Sequence, residues 1–295
     1  MIDKLNFFIV LAAERHFGNA ALKLGISQPS LSAAIRQLEH DLGVMLINRG
    51  SRFQNLTDEG NKVLAWALRI TADTRTMKEE IRTRSVGLSG MLSIGAIPTA
   101  MPNIPEISNT FLKRHPDVNL KLLSLNSNEI LGALERFEIE VGVTYLDNES
   151  PGKFQSVPFY SESYCLITTE KNFSQEKETI SWIEAAKLRL CLLTPDMQNR
   201  RILNQIFNAK EVSIMPTLEA NSLIGLLSHV QTGEWSSILP LSIINSLTFN
   251  KNIISIPMES SYPQHKIGLI ALNRDPSTPL ISAFVKVAKG IGLKE

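Results

Sequence analysis

At 295 residues, with 43% apolar and 20% charged side chains, the chain is too long for one ordinary core and too apolar for disorder, so two or three domains are expected. A formal net charge of +1 excludes any bulk electrostatic argument for nucleic acid or membrane, although residues 1–84 carry twelve Lys/Arg against nine Asp/Glu. The N-terminal run sets Asp3 beside Lys4, unlike a signal peptide, and no stretch approaches the roughly eighteen apolar residues of a membrane span. A cytoplasmic protein without a membrane partner is expected.

In chain order, Leu5, Phe8, Ile9, Ala12 and Ala13 recur at helical spacing, and after a break at Gly18 so do Ala20, Ala21 and Leu24. Gly25 is placed to end this second helix in a left-handed conformation, with Ile26 buried in the turn. Ser27 is a good N-cap for a third helix, and Pro29 in its first turn loses no needed hydrogen bond. Leu31, Ala34, Ile35, Leu38 and Leu42 would form its buried stripe, and Gly43 its end. On the polar side, Gln28, Ser32 and Arg36 stand four apart. Gln pairs with adenine, Arg with guanine, and Ser with either or with phosphate, so this pattern suits a recognition helix in the major groove. A small three-helix domain with a solvated polar face accounts for the same pattern.

Residues 44–56 alternate loosely and carry Arg49 and Arg52 around Gly50, as a β-hairpin wing against phosphate would, or as an ordinary charged turn. Residues 57–84 contain no Pro and begin with a capping Thr57 and the acidic pair Asp58 and Glu59. Val63, Ala67, Ile70, Thr74, Met77 and Ile81 then follow a heptad spacing, consistent with a long helix pairing with its own copy or packing on its own domain. The small-residue stretch 85–91 makes a hinge.

Beyond it, strands are expected at 91–97, 118–124, 139–145, 163–169, 189–194, 214–220, 236–240 and 265–273, and helices at about 103–114, 127–137, 198–208, 221–231 and 278–289. Many of the strands are apolar throughout, as in an α/β sheet covered on both faces. Ligands in such sheets bind at the strand C-termini, where loops lead into helices. That rule selects Thr99 and Ala100, Asn126 and Asn128, Thr194, Arg200 and Arg201, and Asn221 as candidates for holding a small anion, a carboxylate for instance. Each polar one among them could equally serve as a simple helix cap.

Cys165 and Cys191 lie in apolar strands and read as reduced core thiols. The five histidines show no metal-ligand spacing, and no nucleophile elbow, phosphate loop or Cys-x-x-Cys occurs, so neither an enzyme nor a cofactor is expected.

The stretch AALKLGISQPSLSAAIRQLEHDLGVMLINR, followed by LTDEG, resembles the N-terminal domain of LysR-type transcriptional regulators. The resemblance implies a winged helix-turn-helix at 1–60, all-α with a small β wing, and a linker and dimerisation helix at 57–84. A hinge at 85–91 would lead to an α/β effector domain at 91–295. That domain resembles a two-lobed periplasmic binding protein, with one lobe at about 91–162 and 266–295 and the other at about 163–265. Its DNA-contact positions fall on Ser27, Gln28, Pro29, Ser30, Ser32 and Arg36, with wing arginines at Arg49 and Arg52. Its effector hydroxyl falls on Thr99, and GEWSSILP, from Gly233, occupies the family's glycine turn, with Trp235 replacing the second glycine. Ile47 stands where the family usually has Phe. The implied partners are double-stranded DNA carrying an inverted-repeat operator, a small-molecule effector, further copies of the chain as homodimer or homotetramer, and RNA polymerase.

Overall fold

The computed structural model describes residues 1–49, 53–147, 152–170, 178–246, 253–260 and 262–291, which fold as two compact units, Met1–Gly87 and Leu88–Glu295. The first unit is helical, with α1 (Ile2–Glu14), α2 (Phe17–Leu24), α3 (Gln28–Leu42), a hairpin of β1 (Ile47–Arg49) and β2 (Phe53–Leu56), and the long α4 (Asp58–Val86). Leu5, Phe8, Leu11, Ala20, Ala21, Leu31, Ile35, Leu38, Leu46 and Ile47 make its core, so Ile47 packs where a larger aromatic was expected.

Four details depart from the sequence expectations. The break between α1 and α2 falls at Arg15 and His16, not Gly18: the His16 ring Nδ1 accepts the N–H groups of Gly18 and Asn19 at 3.1 and 3.2 Å and caps α2, leaving Gly18 inside its first turn. On α3, Leu42 is 40% exposed and Ala34 half-buried, while Glu39 turns inward and accepts the Leu46 N–H at 3.0 Å. A carboxylate thus takes an inward position because the chain leaving the helix brings a buried donor to it. Ala67 is fully buried in the unit's own core and Val63 packs on it, so neither is presented to a partner helix. Finally, α4 continues through Val86, and the left-handed Gly87 (φ +89°) ends it. Arg52 lies outside the described residues.

The second unit is α/β. In order it contains β3 (Gly90–Ala96), a single 3-10 turn (Met101–Asn103), α5 (Ile104–Arg114), β4 (Val118–Ser124), α6 (Ser127–Glu135), β5 (Val141–Tyr145), β6 (Phe154–Glu162) and β7 (Tyr164–Thr169). There follow α7 (Trp182–Ala185), β8 (Cys191–Leu193), α8 (Gln198–Ala209), β9 (Leu218–Ala220), α9 (Leu223–Gln231), β10 (Ser237–Pro240), α10 (Leu241–Ser246), β11 (Ile253–Pro257), β12 (His265–Leu272) and α11 (Pro279–Ile291).

One sheet has the order β4-β3-β5-β12-β6, parallel among β4, β3 and β5 and antiparallel around β12. A second, β10-β7-β11, is antiparallel and is linked by the Leu190–Ser236 bridge to the parallel pair β8-β9. Two strand-to-strand passages join the sheets, one at Ser163 between β6 and β7 and the other from Pro257 to His265. The strands β6 and β11 lie outside the sequence expectations. Each is a sheet edge, where Pro and mixed polarity are tolerated, and β6 carries Pro158 beside a register shift opposite Ile267 and Gly268.

Candidate functional site

The surface of α3 is built by its caps. Gly25, at φ +66°, closes α2, and the Ile26 N–H returns to the Ala21 carbonyl. Ser27 then accepts the Ser30 N–H at 3.2 Å and its hydroxyl meets that of Ser30 at 2.8 Å. Both serines are therefore committed to starting the helix. Gln28, Pro29 and Arg36 are exposed and Ser32 is half-buried, so Gln28, Ser32 and Arg36 share one outward face. The wing hairpin forms with Arg49 at the end of β1.

Among the described residues of α4 the exposed large apolar side chains are Trp66, Ile70, Met77 and Ile81, spaced at four, seven and four. Ile70, Met77 and Ile81 are those expected from the heptad. Trp66 was missed because it stands one position before Ala67, and its outward direction depends on which side of α4 packs on α1.

Inside the second unit, a narrow cleft, partly open to solvent, lies where the strands end. Ile97, Pro98 and Thr99 follow β3, Asn126 and Ser127 start α6, and Tyr145 ends β5. Leu193 ends β8, and Met197, Gln198 and Asn199 start α8. Thr99 is 1% exposed and its hydroxyl makes no hydrogen bond within the protein. Asn126 caps α6 by accepting the Glu129 N–H at 2.9 Å, and its Nδ2 donates to Asp196 at 3.4 Å. Ser127 accepts from Thr144 at 3.0 Å. No side chain caps α8, whose N-cap residue is Met197.

Of the residues expected here, Thr99 and Asn126 line the space, and Ala100 is buried next to Thr99. The others do not line it. Arg200 is buried in the framework, donating to the Leu193 carbonyl at 2.9 Å, Asn204 at 2.9 Å and Glu219 at 2.6 Å. Arg201 folds back on Gln198 and on the Asp196 carbonyl, satisfying the loop that leads into its own helix. Asn128 and Asn221 point to solvent, Thr194 gives its N–H to Ala220, and Gly233 closes α9 at φ +78°. Both arginines are drawn away by acceptors nearer to them than the cavity.

The sequence reading missed Tyr145 and a carboxylate behind it. Glu162 ends β6 fully buried, and accepts the hydroxyls of Tyr145 at 2.8 Å and Tyr164 at 3.1 Å. Burial pushes its carboxyl up to about 7 against the two hydrogen bonds that hold it down. Burial, with the Glu162 charge behind it, also pushes the Tyr145 and Tyr164 phenols well above their ordinary range. An acidic residue at the end of an edge strand gives no sequence signal of being buried.

Comparison with known proteins identifies both units. Residues 2–61 match the model described as bacterial regulatory helix-turn-helix protein, lysR family, and residues 85–290 the LysR substrate binding domain. The DNA-binding transcriptional dual regulator OxyR of Escherichia coli K12 is 28% identical over 292 residues, covering 98% of this chain and 94% of that protein. Among solved structures, a full-length OxyR variant from Pseudomonas aeruginosa superposes with a TM-score of 0.76 at 23% identity, covering 99% of this chain and 94% of that one. Full-length CbnR complexed with its target DNA superposes at 0.70 and 21% identity, covering 99% and 100%. At these identities the two structures share the fold. Among the described residues no helix is long and apolar enough to cross a membrane.

Proposed function

The chain belongs to the LysR family of DNA-binding transcriptional regulators, and from that premise we propose how its parts divide the work. Residues 1–60 read DNA, with Gln28, Ser32 and Arg36 directed to base edges, Pro29 beside them, Ser27 and Ser30 holding the helix start, and Arg49 and Arg52 on the phosphate backbone. The observation that carries this reading is the outward face of exposed Gln28 and Arg36 with half-buried Ser32 between them, on a helix fixed by a glycine turn and a serine cap. Residues 57–84 pair two copies through Trp66, Ile70, Met77 and Ile81, because exposed apolar side chains at heptad spacing are the chemistry of a helix-helix seam. A dimer, or a pair of dimers, would then match an inverted-repeat operator, act in the cytoplasm and meet RNA polymerase there.

Residues 91–295 bind the effector, and the space lined by Thr99, Asn126 and Asn199 is its site. The unpartnered, sealed Thr99 hydroxyl supports this, since a buried polar group without a partner is costly unless a ligand satisfies it. The charge expected from Arg200 and Arg201 is not supplied there, which counts against an anion.

The curated relatives include proteins named hydrogen peroxide-inducible genes activators. A thiol route to that response does not suit this chain. Cys165 and Cys191 are its two cysteines, and both are buried and free. Burial pushes their thiols up to about 12 and about 11, far from the thiolate that reacts.

The test is selection of bound DNA by the purified chain, followed by band shifts across salt. A recovered inverted repeat, with Gln28→Ala and Arg36→Ala each weakening it by about ten- to a hundredfold, is the expected result. Wild-type affinity in both variants would overturn the assignment of these residues.

A further inference from the structure

Resting on the reading of this cavity as the effector site, we propose that Asn199 determines its specificity and is positioned by Glu162 through Tyr145. The site would then select a small uncharged ligand with a hydrogen-bond donor beside an acceptor oxygen, as in an amide, lactam or urea. Tyr145 has one hydroxyl hydrogen, and it goes to Glu162 Oε2 at 2.8 Å. Towards any other neighbour its oxygen therefore only accepts.

Asn199 is 3% exposed, lines the cavity and stands beside that oxygen. An amide next to an acceptor-only oxygen turns its NH2 towards it, because the opposite orientation would set lone pairs against lone pairs. The Asn199 Oδ1 is then the atom left for the ligand, and it can only accept. Neither amide atom makes a hydrogen bond of good geometry within the protein, so a ligand N–H or O–H would satisfy a buried acceptor.

The acceptor end of the ligand is served from the other side. The Thr99 hydroxyl has no partner, and α8, whose start no side chain caps, begins at the same space. Among the described residues, no Lys, Arg or His lines the cavity. One carboxylate adjoins it, Asp196 bonded to Asn126, so a bound anion would meet like charge there.

Two five-membered rings that differ at one position make the probe: 2-pyrrolidinone, with N–H and C=O, and γ-butyrolactone, with ring oxygen in place of the N–H. Ligand-observed NMR titrations on the full chain should show the lactam binding at least about tenfold more tightly, since the lactone leaves Oδ1 unpaired. Asn199→Leu should bring that ratio near one. Glu162→Gln should collapse or invert it, because the new amide can donate to the Tyr145 oxygen, free its hydrogen towards Asn199 and turn that amide round. A merely structural role for Glu162 would weaken both probes and leave the ratio unchanged.

Equal binding of the two rings to the wild type, or a tenfold ratio that survives both substitutions, overturns the proposal. If neither ring binds while specific DNA binding is intact, the cavity reading itself fails, and this inference with it. Should circular dichroism show Glu162→Gln misfolded, the Asn199→Leu ratio decides.

Discussion

In the helical unit, Gln28, Ser32 and Arg36 reach one face because they stand four residues apart on α3; in the α/β unit, Thr99, Asn126, Tyr145 and Asn199 meet because β3, β4, β5 and β8 end at one place. The first arrangement needs only that the helix be formed and anchored. The second needs four separate segments held in register by two sheets. Damage to the helical unit should therefore act through the anchors of α3 and α4, and damage to the α/β unit through whatever keeps its strand ends together.

The largest effect should come from the closest backbone approach. A Cβ added at Gly60 would lie 2.1 Å from the Leu46 carbonyl oxygen, which also accepts the Thr57 N–H at 3.0 Å. No side chain can move aside there. Gly60→Ala should cost at least about 3 kcal/mol and remove the cooperative unfolding transition of the helical unit, followed by calorimetry, together with specific DNA binding. The α/β unit has a backbone case of its own at Gly268, and a side-chain case at Gly142, whose added Cβ would meet Ile130 Cγ2 at 2.5 Å and Ile270 Cγ1 at 2.9 Å. Those are side chains with some freedom, so about 1–3 kcal/mol is expected. Equal losses would erase the distinction between backbone and side-chain anchoring.

Next comes a contribution confined to the α/β unit. Glu162 has a folded pKa raised to about 7 from an ordinary 4.5, so between those values the folded state holds a proton that the unfolded state has released. Its contribution is fully present below about 4.5 and is lost as pH rises through about 7. The slope is at most about 1.4 kcal/mol per pH unit. Urea unfolding of the wild type and Glu162→Gln, compared at several pH values, should differ by that falling slope, whereas parallel curves would mean the carboxylate is not titrating where its burial places it.

Glu39→Ala should act on the helical unit alone, at about 1–3 kcal/mol, because the buried Leu46 N–H at the start of the wing loses its acceptor. Glu39→Gln keeps an oxygen in place and should cost less. A wing that kept wild-type hydrogen-exchange protection at Leu46 in the Ala variant would show that the contact matters little.

These anchors explain what the sequence could and could not disclose. Periodicity finds Leu31, Ile35 and Leu38 because one helix has one inward stripe, and glycine chemistry finds Gly25 and Gly43. It fails at Glu39 and Leu42, since a carboxylate turns inward only when a particular buried N–H awaits it, and that donor comes from seven residues along the chain. In the α/β unit the strand-end rule leads to Thr99 and Asn126, which sit in the loops it names. It also suggests Arg200 and Arg201, which are claimed by Glu219, Gln198 and main-chain carbonyls. Tyr145 and Glu162 escape because their role depends on β5 and β6 lying on either side of β12, which no local pattern encodes.

The smallest effect concerns the anchor that sequence reading placed at the wrong residue. Gly18 looks like a helix breaker, yet it is His16 that starts α2, by accepting two main-chain N–H groups through one ring nitrogen. A ring nitrogen accepts only when it carries no proton, so the hydrogen of the capping ring is on Nε2. His16→Ala should cost about 1 kcal/mol, as lost helix caps do, and His16→Asn or His16→Asp should recover most of it because their oxygens reach the same donors. Since α2 and its turn carry α3, the Ala variant should also weaken specific DNA binding more than nonspecific binding. A loss spread evenly over both would mean that the cap stabilises α2 without setting the angle at which α3 is presented.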